Sequence, residues 1–147
     1  MATGCGRAAE AVRDSGGTIQ IAGHISVEEL EVGDCFNYLD EGKAGRNRMG
    51  VPCAEPHRFE LYYQFNLDGD EFSNETIINR SHQGCLAEFE DFVGVSFEQS
   101  SLDISALFPS EDTWDKGDRE VLCSVSLLRS IDGEVPMQIG SARQSKT

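Results

Sequence analysis

The chain has 147 residues, 39% of them hydrophobic, so it fits one domain with a single modest core. Its 26 acidic side chains outnumber 12 basic ones, and the net charge of −14 argues against nucleic-acid binding, which needs a basic surface. The same charge disfavours a bare anionic membrane surface. No stretch approaches the ~20 apolar residues that span a bilayer, and no secretory signal pattern precedes the organised sequence.

Three regions follow from composition along the chain. Residues 1–26 are rich in Gly, Ala, Arg and Ser without a period, which predicts a flexible leader or tether. Within it, Thr3-Gly4-Cys5 is compatible with the end of a bacterial lipobox, so Cys5 is a possible lipidation site; an incidental unpaired cysteine is the alternative. Residues 27–129 carry the patterned segments of one domain, and residues 130–147 are predicted to be a disordered or weakly docked tail.

The first half of the domain has the pattern of β-strands. Val32 to Phe36 predicts a turn that enters a short strand, and residues 40–50, with three glycines and three basic side chains, predict an exposed loop between adjacent strands. Residues 57–66 alternate strictly, so we expect a half-buried strand. Its predicted core face is formed by Phe59, Leu61, Tyr63 and Phe65.

The second half combines helices and strands. Apolar residues recur at steps of three and four from Ser73 to about Val93, and Gly94 is placed to end this main helix. A strand from Leu102, a short helix capped by Ser110 and a strand from Glu120 to Leu128 are predicted to follow. The predicted fold is therefore α+β: an antiparallel sheet of about four to five strands, with the main helix packed on one face, a second short helix and two disulfides.

Four of the five cysteines lie within these patterned segments. Cys85 shares the apolar helix face and Cys123 the inward strand face, so packing the helix on the sheet favours a Cys85–Cys123 disulfide. Cys35 and Cys53 then remain to bridge two strands. Four cysteines allow three connectivities, and four buried free thiols are a further alternative. Paired cysteines in a small acidic domain favour a compartment outside the reducing cytosol.

The segment Cys53-Ala54-Glu55-Pro56-His57 is the most site-like motif of the chain. Glu55, His57 and the adjoining Arg58 are candidate binding residues, because a histidine beside a carboxylate is a pH-sensitive donor or ligand. The favoured interpretation is nevertheless structural, with His57 closing the strand through a satisfied hydrogen bond, because a lone histidine next to a carboxylate is common. No nucleophile or phosphate loop is evident, so no catalytic residue and no cofactor are predicted.

Zinc is a weaker alternative for the cysteines. Cys53-x3-His57 and His82-x2-Cys85 would supply four ligands, but neither half has the C-x2-C spacing that makes a zinc site convincing. We therefore expect no metal site.

Several segments together resemble the septum formation domain of actinobacterial envelope proteins, over about Val27 to Leu128. The residues that carry this resemblance are Leu30-Glu31-Val32-Gly33-Asp34-Cys35-Phe36, Val51-Pro52-Cys53-Ala54-Glu55-Pro56-His57, Gly84-Cys85, Phe92-Val93-Gly94, Ser101-Leu102-Asp103, Phe108-Pro109-Ser110, Trp114, Gly117-Asp118-Arg119 and Cys123. The resemblance implies an extracytoplasmic domain of the cell envelope, anchored in the membrane or exported as a lipoprotein. It also implies a link to cell division without an established enzymatic activity.

These observations predict a non-enzymatic extracytoplasmic binding or sensing module. Its expected partner is an envelope or division protein or a cell-wall component, and it would meet a membrane only through an anchor outside this sequence. The alternative is an envelope enzyme or thiol redox protein that uses the Cys53/His57 corner. Thiol titration separates the two, since a thiol enzyme needs a reactive cysteine in addition to Cys5.

Overall fold

The computed structural model describes residues 9–39 and 45–147. Its strands and helices, in chain order, are β1 (Val12–Arg13), β2 (Ile19–Ile21), β3 (Gly23–Ser26), β4 (Cys35–Tyr38), β5 (Asn47–Val51), β6 (Phe59–Asn66), α1 (Asn74–Val93), β7 (Leu102–Leu107), α2 (Glu111–Asp115) and β8 (Glu120–Leu127). Single 3₁₀ turns at Val27–Glu29 and Phe97–Gln99 lie between them.

Six of the strands form one antiparallel sheet in the order β3-β5-β4-β6-β8-β7. The strands β1 and β2 pair separately, and α1 packs on the β6 and β7 part of the large sheet. The predicted α+β class, with one main helix and one short helix, is confirmed. The sheet has one strand more than the predicted range, because β3 lies in the segment predicted to be a flexible leader.

Helix α1 begins and ends where its sequence predicts. The Ser73 side chain accepts a hydrogen bond from the Thr76 amide at 3.4 Å, which satisfies one free N–H of the first turn. Gly94 ends the helix in a left-handed conformation, φ 95°, and donates its N–H to the Glu90 carbonyl at 2.8 Å. The buried face of α1 consists of Ile77, Ser81, Cys85, Phe89, Phe92 and Val93.

Both predicted disulfides are present. Cys85 of α1 and Cys123 of β8, each fully buried, are bonded with their Cα atoms 5.4 Å apart. Cys35 and Cys53 are bonded with their Cα atoms 5.2 Å apart. The first bridge joins the helix to the sheet in the main core, where the Tyr62 hydroxyl also donates to the Cys85 carbonyl at 2.5 Å. Burial raises the pKa of Tyr62, which keeps its hydroxyl a hydrogen-bond donor.

Strand β6 does not have one apolar face and one wet face, as its alternation predicted. A β-bulge between Leu61 and Tyr63 shifts its register against β8. Leu61 therefore packs in a second core on the far side of the sheet, whereas Tyr62, Tyr63 and Phe65 pack on the α1 side. Residues 59–62 are all buried. The alternation was misleading because one extra residue in a strand exchanges the faces of the residues that follow it.

The predicted flexible leader is wrong for residues 9–26. Ile19 and Ile25 are 2% and 3% exposed and form part of the second core with Phe36 and Leu61. The main chain of residues 9–11 lies along β3, since the Ala11 amide donates to the His24 carbonyl at 2.9 Å. The sequence pattern predicted no regular structure here because the few apolar residues of the segment are spaced too widely to show a period.

The predicted loop at residues 40–50 is wrong from residue 47 onward, where β5 begins.

We expect Gly23→Ala to release residues 9–11 from β3. A Cβ at this position would lie 2.5 Å from three main-chain atoms, the Ala11 nitrogen, the Ala9 oxygen and the Glu10 carbonyl carbon. Backbone cannot give way as a flexible side chain can, so the free energy of unfolding should fall by about 1–3 kcal/mol. Thermal unfolding and hydrogen exchange of the Ala11 amide measure this. Gly45→Ala is the control, because among the described residues, apart from Gly45 itself and its chain neighbours, no atom lies within 4 Å of the added Cβ. Equal stability of the two variants would contradict the prediction.

Candidate functional site

The predicted corner at Cys53 to Arg58 is a tight turn that leads into β6. The Glu55 amide donates to the Pro52 carbonyl at 2.9 Å, which closes the turn. The main chain of His57 then pairs with that of Gln138 in both directions, at 2.9 and 2.8 Å, as an isolated antiparallel bridge. The corner is thus held against the C-terminal region at His57, two residues before β6 begins.

His57 and Glu55 do not form the side-chain pair that the functional interpretation of the motif required. His57 is fully buried, and its Nδ1 contacts the main-chain carbonyl of Glu55 at 2.8 Å, while the Glu55 carboxylate is exposed. Because a carbonyl oxygen can only accept, we assign the ring proton to Nδ1. His57 Nε2 is then left with its lone pair, buried and without a hydrogen-bond partner in the described part of the chain.

Arg58 is directed toward the C-terminal segment and not toward open solvent. Its main-chain amide donates to Asn37 Oδ1 at 2.7 Å, and its Nε donates to the Val135 carbonyl at 3.0 Å. Its guanidinium also lies 3.8 Å from the Met137 sulfur. These contacts give Arg58 a role in docking the chain terminus.

Residues 135–147, here named the C-terminal strap, cross the sheet and α1 on one side of the molecule. The Gly140 amide donates to the Cys53 carbonyl at 2.7 Å, and the Gln144 and Lys146 amides donate to the Phe92 and Val93 carbonyls at 2.7 and 2.9 Å. The last two bonds satisfy carbonyls at the end of α1. The predicted disordered or weakly docked tail is therefore wrong for the strap, whose contacts join segments far apart in the sequence.

Glu60 is a functional candidate that the sequence did not reveal. It was assigned to the wet face of β6, yet it is 2% exposed. Its carboxylate accepts hydrogen bonds from Ser141 Oγ at 2.6 Å and from the Ala142 amide at 2.7 Å. Both donors belong to the strap, so no local signal near Glu60 could have indicated its burial.

Three potential ligand atoms converge beneath the strap. The Cys35 sulfur, a His57 ring nitrogen and a Glu60 carboxylate oxygen all lie within 4.8 Å of one another, and all three residues are buried. The Cys35 sulfur is bonded to Cys53, so in this oxidised state it is neither a nucleophile nor a thiolate ligand. We name this group, with Cys53, the disulfide corner.

The other ligand set considered from the sequence is not assembled. Cys53 and Cys85 belong to different disulfides, and His82 is exposed on α1. Cys5, the candidate lipidation site, lies outside the described residues. Within residues 9–39 and 45–147, no helix is both long and apolar enough to cross a membrane.

Comparison with protein families gives one finding. The family model described as septum formation matches residues 32–147, well over half of the chain and including the whole strap. Searches of curated proteins and of solved structures found no significant match. Two disulfides together with a septum-related domain are consistent with an extracellular location.

Proposed function

Since this chain belongs to the septum formation family, we propose that it is a non-enzymatic, extracytoplasmic binding module that acts in the cell envelope during septum formation. The family match over residues 32–147 is the observation that carries this proposal. The domain would be held near the membrane by an anchor and would contact an envelope or division protein or a cell-wall component.

The chemistry of the described residues supports a binding role. Four cysteines are paired in two disulfides, which suits a compartment outside the reducing cytosol. The strongly acidic composition favours a protein or cationic partner over nucleic acid or a bare anionic lipid surface. Sulfurs bonded to each other offer no thiolate, so the corner in this state is suited to structure and not to thiol catalysis.

The contact surface we propose is the free edge of β7. At the opposite edge of the sheet, β3 is covered by residues 9–11, whereas among the described residues no strand pairs with the outer side of β7. The Leu102 amide donates to Ser100 Oγ at 3.0 Å and the Ile104 amide to Asp103 Oδ1 at 2.9 Å, so side chains already occupy amides at the start of this strand. The stretch around Ala106 is left for an extended segment of a partner, which would add a strand to the sheet.

The test is photocross-linking of the native, anchored protein in dividing cells. A photoreactive residue in place of Ser105 on β7 should capture a partner at the division site, whereas one in place of Glu90, exposed on α1, should not. Ala106→Pro should abolish the capture, because proline removes an edge N–H, while its melting temperature reports whether the fold is intact.

Glu55→Ala tests whether the turn at Cys53 to Arg58, and not β7, contacts the partner. Glu55 is exposed and less constrained than His57, so its truncation should leave both the cross-linking yield and the stability unchanged. Loss of capture in Glu55→Ala alone would move the contact surface to the corner. A uniform distribution of the protein over the envelope, with no partner captured from position 105, would contradict the proposal.

A further inference from the structure

The disulfide corner contains a histidine, His57, whose ring orientation is fixed through one nitrogen while the other nitrogen has no partner among the described residues. His57 is fully buried, and its Nδ1 is fixed by the Glu55 carbonyl at 2.8 Å. Its Nε2 therefore presents a lone pair toward the interior, and no hydrogen-bond donor within residues 9–39 and 45–147 reaches it. Leaving a buried polar atom unpaired destabilises a folded protein, so this arrangement calls for an explanation. A ring held through Nδ1–H by a main-chain carbonyl is how metal-binding histidines are oriented.

The neighbours of His57 are also metal ligands. The Cys35 sulfur, a Glu60 carboxylate oxygen and a His57 ring nitrogen lie within 4.8 Å of one another, so small side-chain movements would let one ion contact all three. Cys53 is bonded to Cys35, so opening this bridge would place a second sulfur beside the group. Reduction would thus turn three converging atoms into four ligands: two thiolates, one imidazole and one carboxylate.

We propose that the corner, once its disulfide is reduced, binds one divalent ion of the zinc class through Cys35, Cys53, His57 and Glu60. The disulfide and the metal site are then alternative states of the same residues. Mixed thiolate and imidazole ligands select zinc over calcium or magnesium, which prefer oxygen ligands. The oxidised state excludes the ion because sulfurs bonded to each other cannot act as thiolates.

The redox step is a thiol–disulfide exchange with a dithiol reductant. The dithiol attacks the Cys35–Cys53 bond, becomes a disulfide itself and transfers two electrons and two protons, which leaves two cysteine thiols. Binding of the ion then releases the two thiol protons to solvent. Two thiolates, the Glu60 carboxylate and the ion would leave a net charge of about −1 at the site, which the hydrogen bonds from the strap can stabilise.

The C-terminal strap supplies the outer shell of this site. Ser141 Oγ and the Ala142 amide donate to the two Glu60 oxygens, each of which keeps a lone pair for an ion. The hydrogen bonds that orient Glu60 in the oxidised protein would therefore also orient it toward the metal. This predicts that the strap tunes affinity although none of its residues is a ligand.

Cobalt binding to the full chain tests the proposal. The protein is reduced with excess dithiol, desalted without oxygen and titrated with Co²⁺ as a spectroscopic probe. We expect thiolate-to-cobalt charge-transfer absorption that saturates at one ion per chain and is absent from the oxidised protein. Cys35→Ser/Cys53→Ser should abolish the absorption, His57→Gln should weaken binding by more than about tenfold, and Ser141→Ala by about tenfold.

Two controls keep the result interpretable. Cys85→Ala/Cys123→Ala should retain the absorption, and Ser145→Ala, an exposed strap residue, should bind as the wild type does. If the reduced chain unfolds, Zn²⁺ should restore its helical circular dichroism, because metal binding would then drive folding. Reduced protein that shows neither charge-transfer absorption nor zinc-dependent folding would overturn the proposal. Unchanged binding in His57→Gln would also overturn it.

Discussion

Cys85→Ala/Cys123→Ala is expected to lower the free energy of unfolding by about 4 kcal/mol. The bridge closes a loop of 38 residues, and in the chain-entropy model its loss frees the unfolded chain by that amount. Small domains have a total stability of about 5–15 kcal/mol, so the loss is a large share. The melting temperature should fall by roughly 8–16 °C. Alanine is chosen because a serine would leave an unpaired hydroxyl among the fully buried residues around this bridge.

The other bridge is the matched comparison. Cys35→Ala/Cys53→Ala opens a loop of 18 residues, for which the same model predicts a smaller loss of about 3 kcal/mol. Chemical denaturation of both double variants gives the two values side by side. We expect the Cys85–Cys123 disulfide to stabilise the fold more than the other one. An unchanged melting temperature in Cys85→Ala/Cys123→Ala, or a larger loss of unfolding free energy in Cys35→Ala/Cys53→Ala, would contradict this.

Glu60→Ala should release the C-terminal strap and lower the free energy of unfolding by about 3 kcal/mol. The truncation removes the acceptor for Ser141 Oγ and for the Ala142 amide, and a hydrogen bond to a carboxylate contributes about 1.5–3 kcal/mol. Ala142 is 5% exposed, so its amide would remain buried without a partner. The measurements are the melting temperature and hydrogen exchange of the Ala142 amide.

Glu60→Gln and Ser141→Ala separate the two hydrogen bonds. The glutamine keeps the shape of the side chain and one acceptor oxygen, so we expect about half the loss of Glu60→Ala. Ser141→Ala should cost about 1 kcal/mol and leave exchange of the Ala142 amide slow. Fast exchange in Ser141→Ala with wild-type exchange in Glu60→Ala would mean that Glu60 does not hold the strap.

Elements specified by nearby residues could be predicted from the sequence. The limits of α1 follow from Ser73 and Gly94, whose capping roles need only local chain geometry. The Cys85–Cys123 pair followed from combining two local periods, the helix face and the strand face. The fold class and the second disulfide then followed from the same elements.

Elements specified by distant residues could not be predicted. The bulge in β6 depends on its register against β8, which lies more than 50 positions later in the chain and leaves the alternation of β6 itself intact. Residues 9–26 and the strap have weak local patterns and gain their order from the two cores and from the end of α1. Local propensity therefore understated the order at both ends of the domain.

The candidate site residues were predicted from a local motif. The motif around Cys53 led to His57, and its functional interpretation placed the ring beside the Glu55 carboxylate, whereas the ring contacts the main-chain carbonyl of Glu55. The partner that converges with His57 is Glu60, whose burial depends on Ser141 and Ala142. The alternation of β6 placed Glu60 on the solvent-exposed face. The sequence near Glu60 does not indicate its burial, because its hydrogen-bond partners lie 81 and 82 residues later in the chain.

The redox state of the four paired cysteines in intact cells tests the proposed extracytoplasmic role most directly. Cells are quenched in acid and denaturant, and free thiols are counted with a maleimide by mass, with Cys5 set aside. We predict no label on Cys35, Cys53, Cys85 or Cys123 in untreated cells. After treatment with a reductant that cannot cross membranes we predict labels on Cys35 and Cys53, whereas the fully buried Cys85–Cys123 bridge should resist reduction in the folded protein. Four free thiols in untreated cells, or labels that require a membrane-permeant reductant, would contradict the account.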